Sequence, residues 1–192
     1  MTDSAGAPRL SRDFFVRSAA ELGEALLGAT LLVDGVGGFL VELEIYDESD
    51  PASHSFRGPT RRNASMFGPP GHAYVYRSYG IHWCLNFVCS PPGEASALLV
   101  RALEPTHGIE QMSARRGSED LRMLCAGPGR VCQALAVGGE HDGLALDRPP
   151  FELLARDFEP EIARCPRIGI SQARERPWRL CVADSPYLSR GR

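Results

Sequence analysis

The sequence contains no lysine, so all 21 of its basic side chains are arginines. Arginine stays protonated at ordinary pH and forms no Schiff base, which excludes any mechanism that needs a lysine amine as nucleophile. The six cysteines include no C-x-x-C pair, and no histidine lies at zinc-ligand spacing from them. Most of them lie in apolar runs, so we expect reduced, buried cysteines and neither a disulfide framework nor a metal site.

Long apolar runs are also absent, and none approaches the length that crosses a bilayer. The opening stretch, MTDSAGAPRLSRDFF, lacks the apolar region of a signal peptide, so we expect a cytoplasmic protein with no membrane partner. With 192 residues, 43% of them hydrophobic, the chain is long enough for one domain with a sizeable core. Residues 12–192 are predicted to form that domain, after a disordered tail over residues 1–11.

The distribution of charge is more informative than its sum, which is −3. Residues 57–130 contain nine arginines and five acids, and residues 164–192 contain seven arginines and two acids. Acidic residues concentrate instead in residues 42–50 and 140–161. This segregation predicts a basic face opposite an acidic one, although solvated charge runs are common and the signal alone is weak.

Hydrophobic periodicity and turn residues predict a mixture of helices and strands with no internal repeat. A capping box at Ser18 and Glu21 favours a first helix over residues 12–27. The other predicted elements are strands over residues 29–33, 39–46, 97–103 and 179–182, and helices over residues 107–116 and 128–137. Residues 140–161 are predicted to be peripheral structure and loop.

The strand over residues 39–46 is the first place where the pattern indicates chemistry. Alternation places its apolar residues on one face and, on the other, Glu42, Glu44 and Tyr46. If that face meets solvent, these are ordinary surface residues. If it lines a cleft, Glu44 is a candidate general base with an aromatic wall beside it.

Residues 71–87, GHAYVYRSYGIHWCLNF, predict a β-hairpin rich in aromatic residues. Tyr74 and Tyr76 share one strand face, and the step Tyr79-Gly80 interrupts the β-prone run, which puts Tyr79 at the tip. An ordinary core hairpin is the alternative, because aromatic residues are common in strands. Asn86 in the second strand needs hydrogen-bond partners if it is buried.

The aperiodic loop over residues 47–70 is long enough to suggest a function, and it contains His54. Arg101 interrupts the apolar run ALLVRAL, so it either faces solvent or pairs with a buried carboxylate such as Glu44. Five other arginines are candidate phosphate contacts: Arg57, Arg61, Arg62, Arg77 and Arg130.

Six segments occur in a characteristic order and at compatible spacing between about residues 26 and 189. They are ELEIY at 42–46 with His54, RNASMF at 62–67, YVYRSYG at 74–80 with Asn86, LVRALEP at 99–105, LCAGP at 124–128 with CQAL at 132–135, and RIGI at 167–170. Each segment alone is a weak motif. Together they resemble the methylpurine (alkyladenine, or 3-methyladenine) DNA glycosylase family of base-excision repair.

The resemblance implies an α+β fold: a single compact domain with a curved, mixed or antiparallel β-sheet, flanking helices and a protruding hairpin. In this family the hairpin-tip tyrosine, matched here by Tyr79, enters the minor groove and replaces the flipped nucleotide. The extruded purine is expected to lie in a pocket formed by Tyr46, His54, Tyr76 and Asn86. Asn86 matches the residue that crowds a purine 2-amino group.

The family's catalytic base matches Glu44, which activates water for attack at C1′ of the deoxyribose. Arg101 and the backbone carbonyl of Ile168 match the groups that help to hold that water. The implied enzyme hydrolyses the N-glycosidic bond of damaged purines in duplex DNA without cofactor or metal. Because the chain has no lysine, we expect a monofunctional enzyme that leaves an intact abasic site. We also expect it to be a monomer.

Two other classes remain open at this stage. The family's fold resembles the carboxyl-terminal domain of methionyl-tRNA formyltransferases, so a non-catalytic nucleic-acid-binding module is the main alternative. A cysteine hydrolase is a third reading, but the sequence shows no convincing Cys-His pairing. The presence of Glu44, Arg101 and the tyrosine pocket together favours the enzyme.

Overall fold

A curled antiparallel sheet forms the centre of the molecule, for which a computed structural model describes residues 6–91 and 93–189. The strands are β1 (Thr30–Val33), β2 (Val36–Tyr46), β3 (Ala73–Ser78), β4 (His82–Cys89), β5 (Ser96–His107), β6 (Phe151–Leu154), β7 (Ile162–Cys165) and β8 (Arg179–Val182). The helices are α1 (Ala19–Leu26), α2 (Ile109–Arg116), α3 (Leu121–Leu124) and α4 (Pro128–Leu135). The predicted α+β class, with one compact domain, is confirmed.

Strand β2 is the centre of this sheet. The order is β3-β4-β5-β2-β1-β6, and β8 pairs with both β2 and β7. The register of β2 on β5 shifts around Val41, because Leu40 lies opposite Leu103 while Glu42 lies opposite Ala102. A second shift follows between Glu42 and Leu43, so the irregularity surrounds Glu42 and ends just before the predicted base, Glu44. The strand begins at Val36 and not at residue 39, because the turn before it needs only two residues.

The alternation read from the sequence is confirmed at the functional end of β2. Leu43 and Ile45 belong to the main hydrophobic core. Glu42 and Glu44 are buried on the opposite face, each with its whole side chain removed from solvent. The two carboxylates are therefore neither surface residues nor core packing, and their charges require partners.

The predicted helix over residues 12–27 is wrong in its first part. Residues 12–15 form a 3₁₀ turn, and α1 begins only after Ser18, whose backbone is extended (ψ 150°) and whose side chain makes the predicted capping box with Glu21. The cap fixes where the helix starts, because it supplies acceptors to amides that have no partner within the helix. The covered face of α1 then packs Leu22 and Leu26 into the core.

The predicted tail is contradicted at its inner end, while residues 1–5 lie outside the described residues. Arg9 forms a bridge with Leu154, and the buried Leu10 donates its amide to the carbonyl of Leu153 at 2.8 Å. This short segment therefore extends the sheet beside β6. The pairing depends on a strand more than 140 residues away, which local pattern does not reveal.

Three other boundaries differ from the predictions. Strand β6 lies within residues 140–161, which were expected to be peripheral structure and loop, and β7 follows directly after them. Strand β5 continues to His107. Because β5 is longer, α2 begins at Ile109 instead of residue 107. Among the described residues, no helix has the length and apolar character that crossing a bilayer requires.

The predicted hairpin is confirmed and projects from one edge of the sheet. Strands β3 and β4 pair from Ala73 with Phe87 to Ser78 with His82. Tyr79, Gly80 and Ile81 connect them, and the Ile81 amide donates to the Ser78 carbonyl at 2.9 Å. Tyr79 and Gly80, the two central residues of the turn closed by this bond, both have positive φ (50° and 69°). Tyr79 is 89% exposed. A non-glycine residue with positive φ is uncommon, and here it carries a large ring out into solvent.

Candidate active site

The eight residues predicted to be catalytic, to bind the base or to enter the DNA all border one cavity of about 780 Å³. They are Glu44, Tyr46, His54, Tyr76, Tyr79, Asn86, Arg101 and Ile168. The hairpin, the loop over residues 47–70, β2, β5 and the segment after β7 each contribute part of its wall. Segments that are far apart in the chain therefore converge on one open pocket.

Glu44 is the only carboxylate among the described residues that border the cavity. Its Oε1 accepts a hydrogen bond from the backbone amide of Ile168 at 2.8 Å, and its Oε2 accepts one from the Tyr46 hydroxyl at 2.9 Å. Nη1 of Arg101 lies 3.3 Å from Oε2. These contacts supply partners for a carboxylate that has no exposed surface.

Arg101 is buried and pairs with carboxylates, as one of the two sequence interpretations predicted. It contacts Glu44 through Nη1 and Glu42 through Nε, the latter at 3.2 Å. The contact of Ile168 with Glu44 is made by its amide, whereas the resemblance assigned a role to its carbonyl. The role of that carbonyl stays a prediction.

Glu42 is the residue of this network that the sequence analysis placed on the correct face without giving it a function. It accepts hydrogen bonds from Arg101, Arg179 and Ser189 and does not border the cavity. Only Glu44 therefore combines a carboxylate with access to the pocket. The alternation in β2 was the only local signal that could place Glu42 on this face. It could not show the partners of Glu42, because they are up to 147 residues away in the chain.

One wall of the cavity is the ring of Tyr46, which is supported from behind by a buried ion pair. The guanidinium of Arg167 lies 4.7 Å from the Tyr46 ring centre and 5.2 Å from that of Trp178. Arg167 donates to the Ile45 carbonyl at 2.9 Å and pairs with Asp50, and both charged side chains are fully buried. The sequence analysis missed this support, because no local pattern links Asp50 to Arg167.

A second group of rings that borders the cavity consists of His54, Tyr74 and Tyr76. The His54 ring lies edge-on to Tyr76 with 4.6 Å between centroids, and its Nδ1 is 2.9 Å from the Tyr74 hydroxyl. Tyr74 and Tyr76 stack at 5.4 Å. Partial burial of the imidazole, assisted by the charge of Arg62, lowers the pKa of His54, so the ring is neutral at pH 7.

The inner end of the cavity contains Asn86 and Cys84. The Asn86 side chain is buried and donates to the Tyr74 carbonyl at 3.0 Å, which answers the question of its partner. Burial raises the pKa of the Cys84 thiol and of the Tyr76 hydroxyl. Both groups therefore keep their protons at neutral pH, and Cys84 lacks the thiolate character that a cysteine nucleophile needs. This argues against the cysteine hydrolase alternative.

The rim carries part of the predicted basic surface. Arg62 borders the cavity and donates to the Arg77 carbonyl at 2.9 Å, linking the long loop to the hairpin near Tyr79. Arg57, Arg61 and Arg77 are exposed but do not border the cavity. Arg130 is half-buried and donates to the Ala126 carbonyl at 3.3 Å. Their contacts with phosphate stay predictions.

The cysteines follow the expected pattern of burial, with five of the six buried and Cys165 half-buried. In the part of the chain that the structure describes, no group of three or more His, Cys, Asp or Glu side chains has the arrangement of a metal site. A cavity with this lining can hold a flat ligand against aromatic rings and offer it a carboxylate as a base. Aromatic rings form the walls, and the carboxylate of Glu44 lies beside them.

Comparison with known proteins agrees across nearly the whole chain. A family model described as "Methylpurine-DNA glycosylase (MPG)" matches residues 13–186. A protein of Rhodopseudomonas palustris (strain HaA2) is 58% identical over 182 residues, which cover 95% of this chain and 90% of that protein. A protein of Nitrosospira multiformis is 57% identical over 176 residues, covering 92% and 91%. Both carry the name "Putative 3-methyladenine DNA glycosylase".

Proposed function

The chain belongs to the methylpurine-DNA glycosylase family, a family of hydrolases that act on N-glycosyl bonds, and from that premise we propose how it acts. It flips damaged purines out of duplex DNA and hydrolyses the glycosidic bond with a water activated by Glu44. The substrates are alkylated purines such as 3-methyladenine, together with the neutral lesions hypoxanthine and ethenoadenine. The product is an intact abasic site.

The observation that carries this proposal is that the Glu44 carboxylate and the rings of Tyr46, His54 and Tyr76 border one open cavity. A purine stacked between Tyr46 and the pair Tyr76 and His54 directs its sugar toward the carboxylate. Cleavage of the glycosidic bond passes through a state in which the sugar carries positive charge. An ionised carboxylate both stabilises that charge and removes a proton from the attacking water.

The proposed substrates differ in how easily the base leaves. An alkylated purine such as 3-methyladenine is cationic and departs as a neutral molecule, whereas hypoxanthine and ethenoadenine need a proton as they leave. Raised pKa values keep the Tyr76 hydroxyl and the Cys84 thiol from giving up their protons, and a lowered pKa leaves the His54 ring neutral. Excision of neutral lesions therefore draws its proton from pocket water rather than from these groups.

Base flipping depends on the hairpin. A base inside a duplex cannot reach the buried carboxylate, and extruding it costs a few kcal/mol in lost stacking and pairing. The exposed ring of Tyr79 lies at the hairpin tip and also borders the cavity. Inserted into the vacated stack, the ring offsets part of that cost, since aromatic stacking contributes about 1–3 kcal/mol per base.

The proposed chemistry is hydrolysis without strand cleavage. A glycosylase that also cleaves the strand forms a Schiff base between an amine and the abasic sugar. The sequence offers no lysine for this step. We therefore expect borohydride to trap no covalent adduct during turnover.

The decisive experiment uses duplex oligonucleotides that carry one 3-methyladenine, hypoxanthine or ethenoadenine. Wild-type protein is expected to produce strand breaks at the lesion only after alkali treatment. Glu44→Gln keeps the shape of the side chain and removes its charge, so it should bind the same duplexes while excision falls at least about a thousandfold. Breaks without alkali would contradict the monofunctional assignment.

A non-catalytic DNA-binding module is the alternative, and the same assay separates it from the enzyme. A module binds lesion-containing duplexes but releases no base from any of them. The buried pairing of Glu44 with Arg101 favours the enzyme, because a binding module gains little from a desolvated carboxylate at the end of its pocket.

A further inference from the structure

Glu42 is a second buried carboxylate beside Glu44, and the mechanism above gives it no role. Its Oε1 accepts hydrogen bonds from Nε of Arg101 at 3.2 Å, Nη1 of Arg179 at 3.1 Å and Oγ of Ser189 at 2.8 Å. Its Oε2 accepts one from the Ser189 backbone amide at 2.5 Å. Glu42 has no exposed surface and does not border the cavity, so it cannot activate the attacking water itself.

The same contacts fix the orientation of Arg101. Its Nε and Nη2 both donate to Oγ of Ser189 at 3.2 Å, and Nε also donates to Glu42. Only Nη1 lies against Glu44, at 3.3 Å from Oε2. The guanidinium is therefore bound along one edge by Glu42 and Ser189, and it presents a single corner to the reactive carboxylate.

The number of free lone pairs on Glu44 depends on this orientation. Glu44 accepts one hydrogen bond on each oxygen, from the Ile168 amide and from the Tyr46 hydroxyl, and Nη1 of Arg101 forms an ion pair with Oε2 at 3.3 Å without hydrogen-bond geometry. About one lone-pair site on each oxygen then remains for a water molecule. A guanidinium that is free to turn prefers two parallel bonds to a carboxylate, which would fill both of these sites.

We propose that Glu42, acting with Ser189, is a positioning residue for base excision: it holds Arg101 so that Glu44 keeps a lone pair for the attacking water. This inference rests on the proposed function, in which Glu44 is the base. Arg179, which donates to Glu42 from strand β8, brings the charges of the two carboxylates and two arginines into balance. The segment after β8 becomes part of the active site through Ser189.

Two variants test the proposal, one by removing the charge of Glu42 and one by removing only the hydroxyl of Ser189. Glu42→Gln keeps the shape but releases Arg101 toward Glu44, and single-turnover excision of hypoxanthine or ethenoadenine should fall about a hundredfold, the cost of misplacing a reacting group by about 1 Å. Ser189→Ala removes the hydroxyl that bonds Arg101 and Glu42 but leaves Glu42 paired with two arginines, so it should fold normally. Because Arg101 keeps its bond to Glu42, excision should fall only about fivefold. Affinity for the lesion duplex should change by less than about twofold in both, since Glu42 does not border the cavity.

A double-mutant cycle separates positioning from simple stabilisation. If Glu42 acts through Arg101, then Glu42→Gln combined with Arg101→Met should excise no more slowly than Arg101→Met alone. A merely structural role instead lowers the folded fraction, so that DNA binding and excision fall by the same factor. If Glu42→Gln does not fold, the cycle of Ser189→Ala with Arg101→Met decides the question.

The outcomes distinguish this inference from the function on which it rests. Wild-type protein that releases no base from any of the three lesions overturns the proposed function. An active wild type with Glu42→Gln and Ser189→Ala variants that excise at the wild-type rate overturns the positioning role alone. The positioning role is also overturned if the loss in excision rate in the double variant equals the product of the losses in the two single variants. Glu42 and Arg101 would then act independently.

Discussion

The hydroxyl of Tyr46 donates a hydrogen bond to Oε2 of Glu44 at 2.9 Å, so one residue both forms an aromatic wall and orients the carboxylate beside it. The two side chains share a strand face because they are two residues apart in β2. Burial of the phenol and the adjacent charge of Glu44 raise the pKa of Tyr46, which keeps the donating proton on the hydroxyl. The ring of Tyr46 therefore acts on the pocket wall, and its hydroxyl acts on the proposed base.

Tyr46→Phe separates the two roles of that residue. The variant keeps the ring but removes a hydrogen bond to a charged group, which contributes about 1.5–3 kcal/mol. We expect single-turnover excision to fall about ten- to a hundredfold, while affinity for the lesion duplex stays within about twofold of wild type. Tyr46→Leu is the matched comparison, because it removes the ring as well and should weaken binding of the duplex. Equal losses of binding in both variants would contradict the division of roles.

Asn86 is expected to set selectivity against guanine, because its side chain is pinned and cannot move away from a purine 2-amino group. The amide nitrogen donates to the Tyr74 carbonyl at 3.0 Å. In Asn86→Ala, the preference for excising hypoxanthine over guanine should fall about ten- to a hundredfold, the range over which a pocket distinguishes ligands by a small group. Cys84→Ala enlarges the same cavity at another point and should leave that preference unchanged, as measured on matched duplexes.

Much of this site was predictable because its residues come from short, regular elements. Period-two alternation in β2 placed Glu42, Glu44 and Tyr46 on one face, and the Tyr79-Gly80 step marked the hairpin tip. Local pattern did not assign functions to these positions. The order of six segments did so by resemblance, and the structure brings all eight predicted site residues to one cavity.

The unpredicted parts depend on contacts between distant segments. Asp50 and Arg167 are 117 residues apart, and Glu42 and Ser189 are 147 apart, so no window of sequence contains either pair. Strand β6 is only four residues long and gains its partners from β1, which makes its local signal weak. A short strand of this kind is stabilised by its neighbours more than by its own propensity.

Tyr79 provides a test of the hairpin that separates the ring from the turn. Asn tolerates positive φ well, so Tyr79→Asn should preserve or slightly raise the thermal midpoint while removing the ring. Loss of stacking of about 1–3 kcal/mol should reduce excision about five- to 150-fold. Tyr79→Phe keeps the ring and should remain close to wild type. The wedge role is wrong if Tyr79→Asn excises every lesion at the wild-type rate.

The buried pair of Asp50 and Arg167 is expected to govern stability as well as the pocket wall. Both side chains are fully buried, and Arg167 also contacts the Tyr46 ring. Asp50→Asn leaves a desolvated guanidinium without its countercharge, which should lower the free energy of unfolding by about 3–5 kcal/mol. The half-exposed pair of Arg9 and Glu152 offers a matched control, since Glu152→Gln should cost no more than about 1 kcal/mol. Urea denaturation measures both variants.

Because Asp50 reaches Tyr46 only through Arg167, folded Asp50→Asn protein should also bind the lesion duplex less tightly, an effect that the surface control lacks. Equal stability losses in the two variants would show that burial does not set the value of this ion pair.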